Sequence, residues 1–211
     1  GWLRSRSGHN VDPAQLNFRS GDALLACLPC RTVDHLVLLD DNGRAYSIPA
    51  ADLPGGKGDG VPATSLVDFQ DGGKLLLALA VSADKQYLVA GQGGYGFLVK
   101  GDDLLSRGKS GKAFLSLDAG EKPAVFQPAP STDEIAVFTQ DGRALVFPLA
   151  EIRPLAKGRG LKLIAAQPGK EALTAIEPVI DGSAGKLKGE RLALCRGNRG
   201  GKGKPVKAPR K

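Results

Sequence analysis

The fold is decided by a segment that occurs three times, and its clearest copy is IAVFTQDGRALVF at residues 135–147. Two apolar runs flank the dipeptide Asp141-Gly142, which supplies the positive φ that a tight hairpin turn needs. Related copies are HLVLLDDNGRAYSI at residues 35–48 and YLVAGQGGYGFLV at residues 87–99. The segment therefore predicts a β-hairpin that is repeated along the chain.

The repeat has a period of about 50 residues. The turn glycines are spaced by 51 and 48 residues, and a second set, Gly58, Gly108 and Gly158, lies in basic stretches at intervals of 50 residues. After each hairpin the unit holds two further short apolar runs, for example residues 113–117 and 124–126, which we expect to pair with each other. About four strands in 50 residues is typical of a propeller blade.

The composition favours an all-β fold with many turns. The 211 residues include 29 Gly and 14 Pro, which disfavours long helices, and 42% of the residues are hydrophobic, which suffices for a buried core. The longest apolar run, residues 75–81, is too short to span a membrane. Three cysteines fit a reducing, cytoplasmic location. No methionine occurs, and we therefore expect a piece of a longer protein.

The charge is unevenly distributed. After residue 181 there are ten basic residues and one acidic residue, whereas the first 181 residues have a net charge of −2. We expect a folded domain at residues 1–197, with repeats near 33–80, 84–129 and 131–179 and incomplete blades at both ends. Residues 1–5 resemble the second strand of a hairpin and residues 190–197 resemble a first strand, so these two ends are expected to pair and close a ring. Residues 198–211, rich in Gly, Pro and Lys, are expected to form a flexible basic tail that binds polyanions.

The basic stretches occupy the same position in each repeat, so a ring of blades would place them along one rim. Such a rim can bind the phosphates of duplex DNA without reading its sequence, because neutralised phosphates release counterions. Arg44 and Arg143, next to the hairpin turns, are further candidate contacts. The candidate cations of the rim are Lys57, Arg107, Lys109, Lys112, Lys157, Arg159 and Lys162. The alternative is that these residues are solvated surface charges with no binding role.

Catalytic and metal sites are not indicated. Cys27 and Cys30 have the spacing of a redox or metal pair, but no second cysteine pair accompanies them. The glycine-rich residues 91–96 are followed by a strand rather than by the helix that a phosphate-binding loop requires. We therefore predict no catalytic residue, no metal and no cofactor in this domain.

Three motifs in order, GWLRSRSGHNVD at residues 1–12, GGYGF at 93–97 and TQDGRALVFP at 139–148, resemble the C-terminal domains of the topoisomerase IV A subunits and of the homologous gyrase A subunits. The resemblance implies a β-pinwheel, a propeller-like disc whose blades exchange strands. It also implies that DNA cleavage belongs to a separate core, so none of the tyrosines Tyr46, Tyr87 and Tyr95 is assigned a catalytic role.

The resemblance further implies a role for the domain. It would bind and bend DNA and orient the segment that is passed through the break in decatenation and supercoil relaxation. The parent would be an ATP-dependent type II topoisomerase, associated with the nucleoid, that dimerises and pairs with an ATPase subunit, with ATP and Mg bound elsewhere. Gyrase has a heptapeptide box, QRRGGKG, and its nearest match in the first blade is GGKG at residues 55–58. This departure favours topoisomerase IV over gyrase.

Three other functions remain open from the residues. One is a propeller that serves as a protein-interaction platform, since the body is nearly neutral. Another is a gyrase-like domain that wraps DNA tightly. The third is a propeller enzyme with a site in a central channel, which the placement of the acidic residues in turns disfavours.

Overall fold

The computed structural model describes residues 1–8, 11–16, 18, 21, 23–55 and 58–206. Its helices are α1 (Ala63–Leu66) and α2 (Gly189–Leu194), and its 3₁₀ turns lie at Pro13–Gln15, Ala50–Asp52, Asp102–Leu104 and Leu149–Glu151. The strands are β1 (Trp2–Leu3), β2 (His35–Asp40), β3 (Arg44–Pro49), β4 (Val61–Pro62), β5 (Leu75–Val81), β6 (Gln86–Gly91), β7 (Tyr95–Lys100), β8 (Lys112–Ala113), β9 (Pro123–Pro128), β10 (Glu134–Thr139), β11 (Arg143–Pro148), β12 (Leu161–Lys162), β13 (Leu173–Pro178), β14 (Ser183–Ala184), β15 (Leu187–Lys188) and β16 (Lys204–Pro205).

Three antiparallel hairpins confirm the repeated segment. They are β2–β3, β6–β7 and β10–β11, and the turn glycines Gly43, Gly94 and Gly142 have φ values of 82°, 83° and 82°. Most residues on both faces of these strands are buried, because each sheet is covered on both sides. This explains why the sequence shows continuous apolar runs rather than a strict alternation.

Each hairpin forms the centre of a four-stranded sheet, as predicted for a blade. Blade 1 has the strand order β5-β2-β3-β8, blade 2 has β9-β6-β7-β12, and blade 3 has β13-β10-β11-β16. In every blade the strand beside the second hairpin strand comes from the following unit. The blades therefore exchange strands, which is the β-pinwheel arrangement.

Three stretches make these exchanges, and we call them crossing segments 2 (residues 104–113), 3 (152–162) and 4 (195–205). Each one ends in a short strand that pairs with the second strand of an earlier hairpin, as Lys112 and Ala113 pair with Arg44 and Ala45 in blade 1. Crossing segment 1 (residues 53–62) is the equivalent stretch after β3, and its strand β4 pairs with β1. The expected pairing of residues 113–117 with 124–126 was wrong, since β9 pairs with β6 instead. The exchange satisfies a hairpin edge that would otherwise be unpaired.

The hydrophobic core lies between neighbouring blades. Between blades 1 and 2, Val37 and Leu39 pack with Val89 and Phe97. The interface of blades 2 and 3 holds a larger buried cluster: Leu88, Ala90, Val125, Ile135, Val137, Leu145, Phe147, Leu163, Ile164, Leu173 and Ile176. Stability therefore depends on the stacking of blades more than on any single sheet.

Small elements cover the outer faces of the two terminal blades. The pair β1–β4 and helix α1 pack on blade 1, where Leu3 and Ala63 join the cluster of Tyr46. On blade 3 the cover is the pair β14–β15 with helix α2. Residues 1–5 were expected to be the second strand of a hairpin, and β1 occupies that position relative to β4. Within the described chain the two ends do not pair with each other, contrary to the ring closure that we considered.

Two expectations for the C-terminal part were wrong. Residues 190–197 were expected to form the first strand of a hairpin, but residues 190–194 belong to helix α2, and Leu192 and Cys195 lie together in the cluster on blade 3. Residues 198–206 were expected to be flexible, but they continue crossing segment 4, and Val206 N donates to Gly142 O at 2.8 Å. Pairing with an existing strand offsets the entropy of ordering this polar stretch. Residues 207–211 lie outside the described part.

Candidate nucleic-acid interface

A glycine brings each crossing segment into close contact with the strand with which it pairs. Gly60, Gly111, Gly160 and Gly203 have φ values of 87°, 59°, 82° and 72°. At each of them a Cβ atom would meet a backbone carbonyl oxygen of the paired strand within 2.7 Å. Only glycine combines the positive φ with this approach. The basic side chains that flank these glycines are therefore held in a fixed relation to the blades.

A side chain at the start of the second hairpin strand fixes the crossing segment. In blade 1, Arg44 Nη2 donates to Ser110 O at 2.9 Å. In blade 3, Arg143 Nη1 donates to Lys202 O and to Ala165 O, and its Nε pairs with Asp141. The hydrogen bond from Arg143 lowers the pKa of Asp141.

These contacts correct the placement of two predicted DNA-binding residues. The Arg143 side chain is only 8% exposed, and Arg44 is half-buried with its Nε enclosed. Both guanidinium groups face the crossing segments rather than the solvent. Both side chains therefore have an architectural role at the interface, and their contact with DNA stays a prediction.

Blade 2 reverses this arrangement. The hairpin position holds Tyr95, and Arg159 from crossing segment 3 lies with its guanidinium carbon 4.0 Å from the centre of the tyrosine ring. Arg159 also forms an ion pair with Asp118. Arg159 remains 37% exposed, but part of its charge is already compensated.

Backbone hydrogen bonds join crossing segments 3 and 4 each to the residues that directly follow the previous segment. Gly158 N donates to Phe114 O and Ser116 N donates to Gly158 O, both at 2.9 Å. The next junction repeats the pattern, since Gly200 N donates to Leu163 O at 2.9 Å and Ala165 N donates to Gly201 O at 2.8 Å. Crossing segments 2, 3 and 4 therefore follow one another in a connected row.

The charged residues of the row are all basic. Crossing segments 2, 3 and 4 contain no acidic residue, whereas segment 1 has Asp59 beside its lysine. Partial burial lowers the pKa of Lys112, which is half-buried. Lys57 lies outside the described residues. The structure brings together on the row these exposed cations of the predicted set: Arg107, Lys109, Lys157 and Lys162.

Sequence reasoning missed four cations that belong to the same row, because it placed them at the edge of the folded domain or in a flexible tail. Arg196, Arg199, Lys202 and Lys204 lie in crossing segment 4. A signal was present in the stretch RGGKG at residues 199–203, which has the last five letters of the box QRRGGKG. The chain offers a closer match there than at residues 55–58.

The remaining candidate groups have structural surroundings. Tyr46 Oη donates to Asp40 at 3.0 Å, and Tyr87 Oη accepts from Ser82 N at 2.7 Å. Cys27 and Cys30 are exposed. Among the described residues there is no group of three or more His, Cys, Asp or Glu side chains that could hold a metal ion. None of the helices in the described part has the length and apolar character for a membrane crossing.

Comparison with known proteins identifies relatives over nearly the whole chain. Residues 34–82, 85–122 and 133–180 match the family described as DNA gyrase C-terminal domain, beta-propeller. The chain is 40% identical to the A subunit of DNA topoisomerase 4 from Neisseria gonorrhoeae and 37% identical to that from Pseudomonas aeruginosa. These matches cover 97% and 96% of this chain but 29% of each relative.

Solved structures agree with these sequence matches. The C-terminal domain of ParC from E. coli has a TM-score of 0.84 and 31% sequence identity, with 97% of this chain and 89% of that chain covered. A C-terminal domain of DNA topoisomerase IV has a TM-score of 0.73 at 16% identity, covers 92% of this chain and 64% of that chain, and shows the shared fold alone.

Proposed function

Since this chain belongs to the family of C-terminal domains of the gyrase and topoisomerase IV A subunits, we propose that it is a non-catalytic DNA-binding domain of a bacterial type II topoisomerase. It would bind duplex DNA without sequence preference along the crossing segments. The observation that carries this proposal is the connected row of exposed cations, free of acidic residues in segments 2 and 3.

The charges and the backbone support this mode of binding. Each phosphate that a lysine or arginine neutralises releases condensed counterions, so affinity falls steeply with salt. Glycines beside the cations let a phosphate approach the backbone, because no side chain stands in the way. Bending a duplex of 20–30 base pairs costs about 1–6 kcal/mol, and a row of several cations can offset this cost at low salt.

The chain spans 29% of the length of the curated relatives it matches. We propose that the remaining part carries DNA cleavage and dimerises, and that an ATPase subunit supplies ATP and Mg chemistry. This domain would capture and orient a DNA segment for decatenation and supercoil relaxation. A cytoplasmic location near the nucleoid fits that role.

The test is duplex affinity against salt for a variant with Arg107, Lys109, Lys157 and Lys162 changed to Ala. Its matched control changes four exposed lysines outside the crossing segments, Lys74, Lys85, Lys100 and Lys170. We expect the first variant to lower the log–log salt slope by about 3 to 4, and the control to change it by less than about 1. Equal slopes for both variants, or no salt-sensitive binding by the unchanged chain, would contradict the proposal.

Gyrase-like wrapping is the second candidate, and the stretch at residues 199–203 supports it. A domain that wraps DNA with one handedness shifts the linking number when a nicked plasmid is ligated in its presence. A shift that grows with protein concentration would support wrapping. Binding without any shift would indicate capture and bending alone.

A further inference from the structure

Crossing segment 4 differs from a flexible basic tail because both of its ends are fixed to blade 3. At its start, Val146 N donates to Cys195 O at 2.9 Å, and Gly197 N donates to Val146 O at 3.1 Å. At its end, strand β16 pairs with the first residues of β11. The segment is therefore an ordered surface element, and ligand binding there would not cost the entropy of folding it.

The arginines of this segment hold it in place. Arg196 forms an ion pair with Glu134 at 2.8 Å, and Arg199 donates to Lys162 O at 2.7 Å. The guanidinium of Arg199 also lies 3.7 Å from Glu151. The two arginines thus compensate the acidic groups beside the segment.

The lysines of crossing segment 4 form no ion pair within the part of the chain that the structure describes. Lys202 and Lys204 are exposed, and none of the ion pairs of the described chain uses their side chains. The carbonyl group of Lys202 accepts a hydrogen bond from Arg143, which positions its backbone. This arrangement presents two exposed charges on an ordered segment.

The position of the lysines continues the row of segments 2 and 3. Gly200 packs against Lys162. A Cβ atom placed on Gly200 would lie 3.7 Å from the Cβ atom of Lys162. The two segments are joined there by the hydrogen bonds of Gly200 and Gly201. Lys162, Lys202 and Lys204 therefore lie on consecutive parts of one surface.

We propose that crossing segment 4 is the last contact of the DNA path, with Lys202 and Lys204 binding backbone phosphates and Arg143 acting as a positioning residue for Lys202. This inference rests on the proposed function of segments 2 and 3. It makes the C-terminal segment part of the folded interface.

The test compares Lys202→Ala/Lys204→Ala with the control Lys186→Ala/Lys188→Ala, which removes two exposed lysines of the β14–β15 pair. Both remove the same charge and leave the buried residues unchanged. On a 30-base-pair duplex we expect the first to lower the log–log salt slope by about 2 and the control to leave it within about 0.5. Thermal unfolding of each variant verifies that the fold is retained.

The outcomes separate the two proposals. If the segment 4 variant matches its control while the variant in segments 2 and 3 loses its salt slope, the inference is overturned and the proposed function stands. If the unchanged chain shows no salt-sensitive affinity for the duplex, both are overturned. Removal of residues after Gly197 is unsuitable for this purpose, because it also deletes strand β16.

Discussion

In blades 2 and 3 an arginine fixes the crossing segment, but the arginine belongs to the hairpin in one blade and to the crossing segment in the other. In blade 3 the arginine belongs to the hairpin, is buried, and binds the carbonyl group of Lys202. In blade 2 it belongs to the crossing segment and lies over the ring of Tyr95 at the surface. The two blades therefore share the position of the crossing segment but not the residue that fixes it. In blade 2 the arginine that fixes the segment belongs to the exposed row, and part of its charge is compensated, whereas in blade 3 it is a buried hairpin residue.

The largest expected effect comes from Arg143→Ala. The change removes the charged partner of Asp141 and the donor to the carbonyl groups of Ala165 and Lys202, so we expect the free energy of unfolding to fall by about 2–4 kcal/mol. The melting temperature should fall by about 5–15 °C. Arg159→Ala is the matched change in blade 2 and should cost about 0.5–1 kcal/mol, since its contacts are partly exposed. Equal losses would contradict the difference between the blades.

Glycine substitutions measure how closely each crossing segment approaches its hairpin. A Cβ at Gly160 would lie 2.2 Å from Gly96 O, whereas one at Gly203 would lie 2.7 Å from Ala144 O. We expect Gly160→Ala to cost about 3 kcal/mol and Gly203→Ala about 2 kcal/mol in urea unfolding. The control is Gly142→Ala, with the same φ of 82° as Gly160 and nothing within 4 Å, which should cost about 1 kcal/mol. If the control variant lost as much stability as Gly160→Ala, the close approach to Gly96 O would not be the reason that position 160 requires glycine.

The smallest expected effect is the pH dependence that one ion pair of blade 3 contributes. Arg196 lowers the pKa of Glu134 from its ordinary value of 4.5 through a side-chain hydrogen bond. The ion pair therefore stabilises the fold above the ordinary pKa, and this contribution is lost as the pH falls through the lowered pKa. Blade 2 has the uncharged Pro154 at the corresponding position.

Glu134→Gln should accordingly flatten the loss of melting temperature between pH 5 and pH 3, by the equivalent of less than about 1 kcal/mol because the pair is half-exposed. Glu190→Gln, an exposed change on α2, is the control and should retain the slope of the unchanged chain. A steeper fall in Glu134→Gln than in the unchanged chain would contradict the role of the pair.

The sequence was sufficient to predict the hairpins, their period and the four-stranded blades. Gly43, Gly94 and Gly142 lie in the turns as expected, because turn chemistry and apolar runs are local signals. The rim stretches could likewise be located, since they recur in phase with the hairpins. Each of these features depends on residues that are close in the chain.

The remaining errors involve contacts between distant residues. Two-residue strands such as Lys112–Ala113 have no periodic pattern, so their partner could not be inferred from sequence. Arg44 and Arg143 follow a turn just as a solvated arginine would, and only the position of the crossing segment shows that they point inward. Residues 198–206 have the composition of a flexible tail, and their order comes from a strand edge some 60 residues earlier.

The exchange of strands also sets an order of assembly during synthesis. A hairpin can form as soon as its own residues have left the ribosome, but its blade stays one strand short until the following unit arrives. Blade 1 is completed by Ala113 and blade 3 by Pro205. Translation thus delivers each blade's finishing strand last, and from the first hairpin until residue 205 emerges at least one hairpin strand lacks its partner.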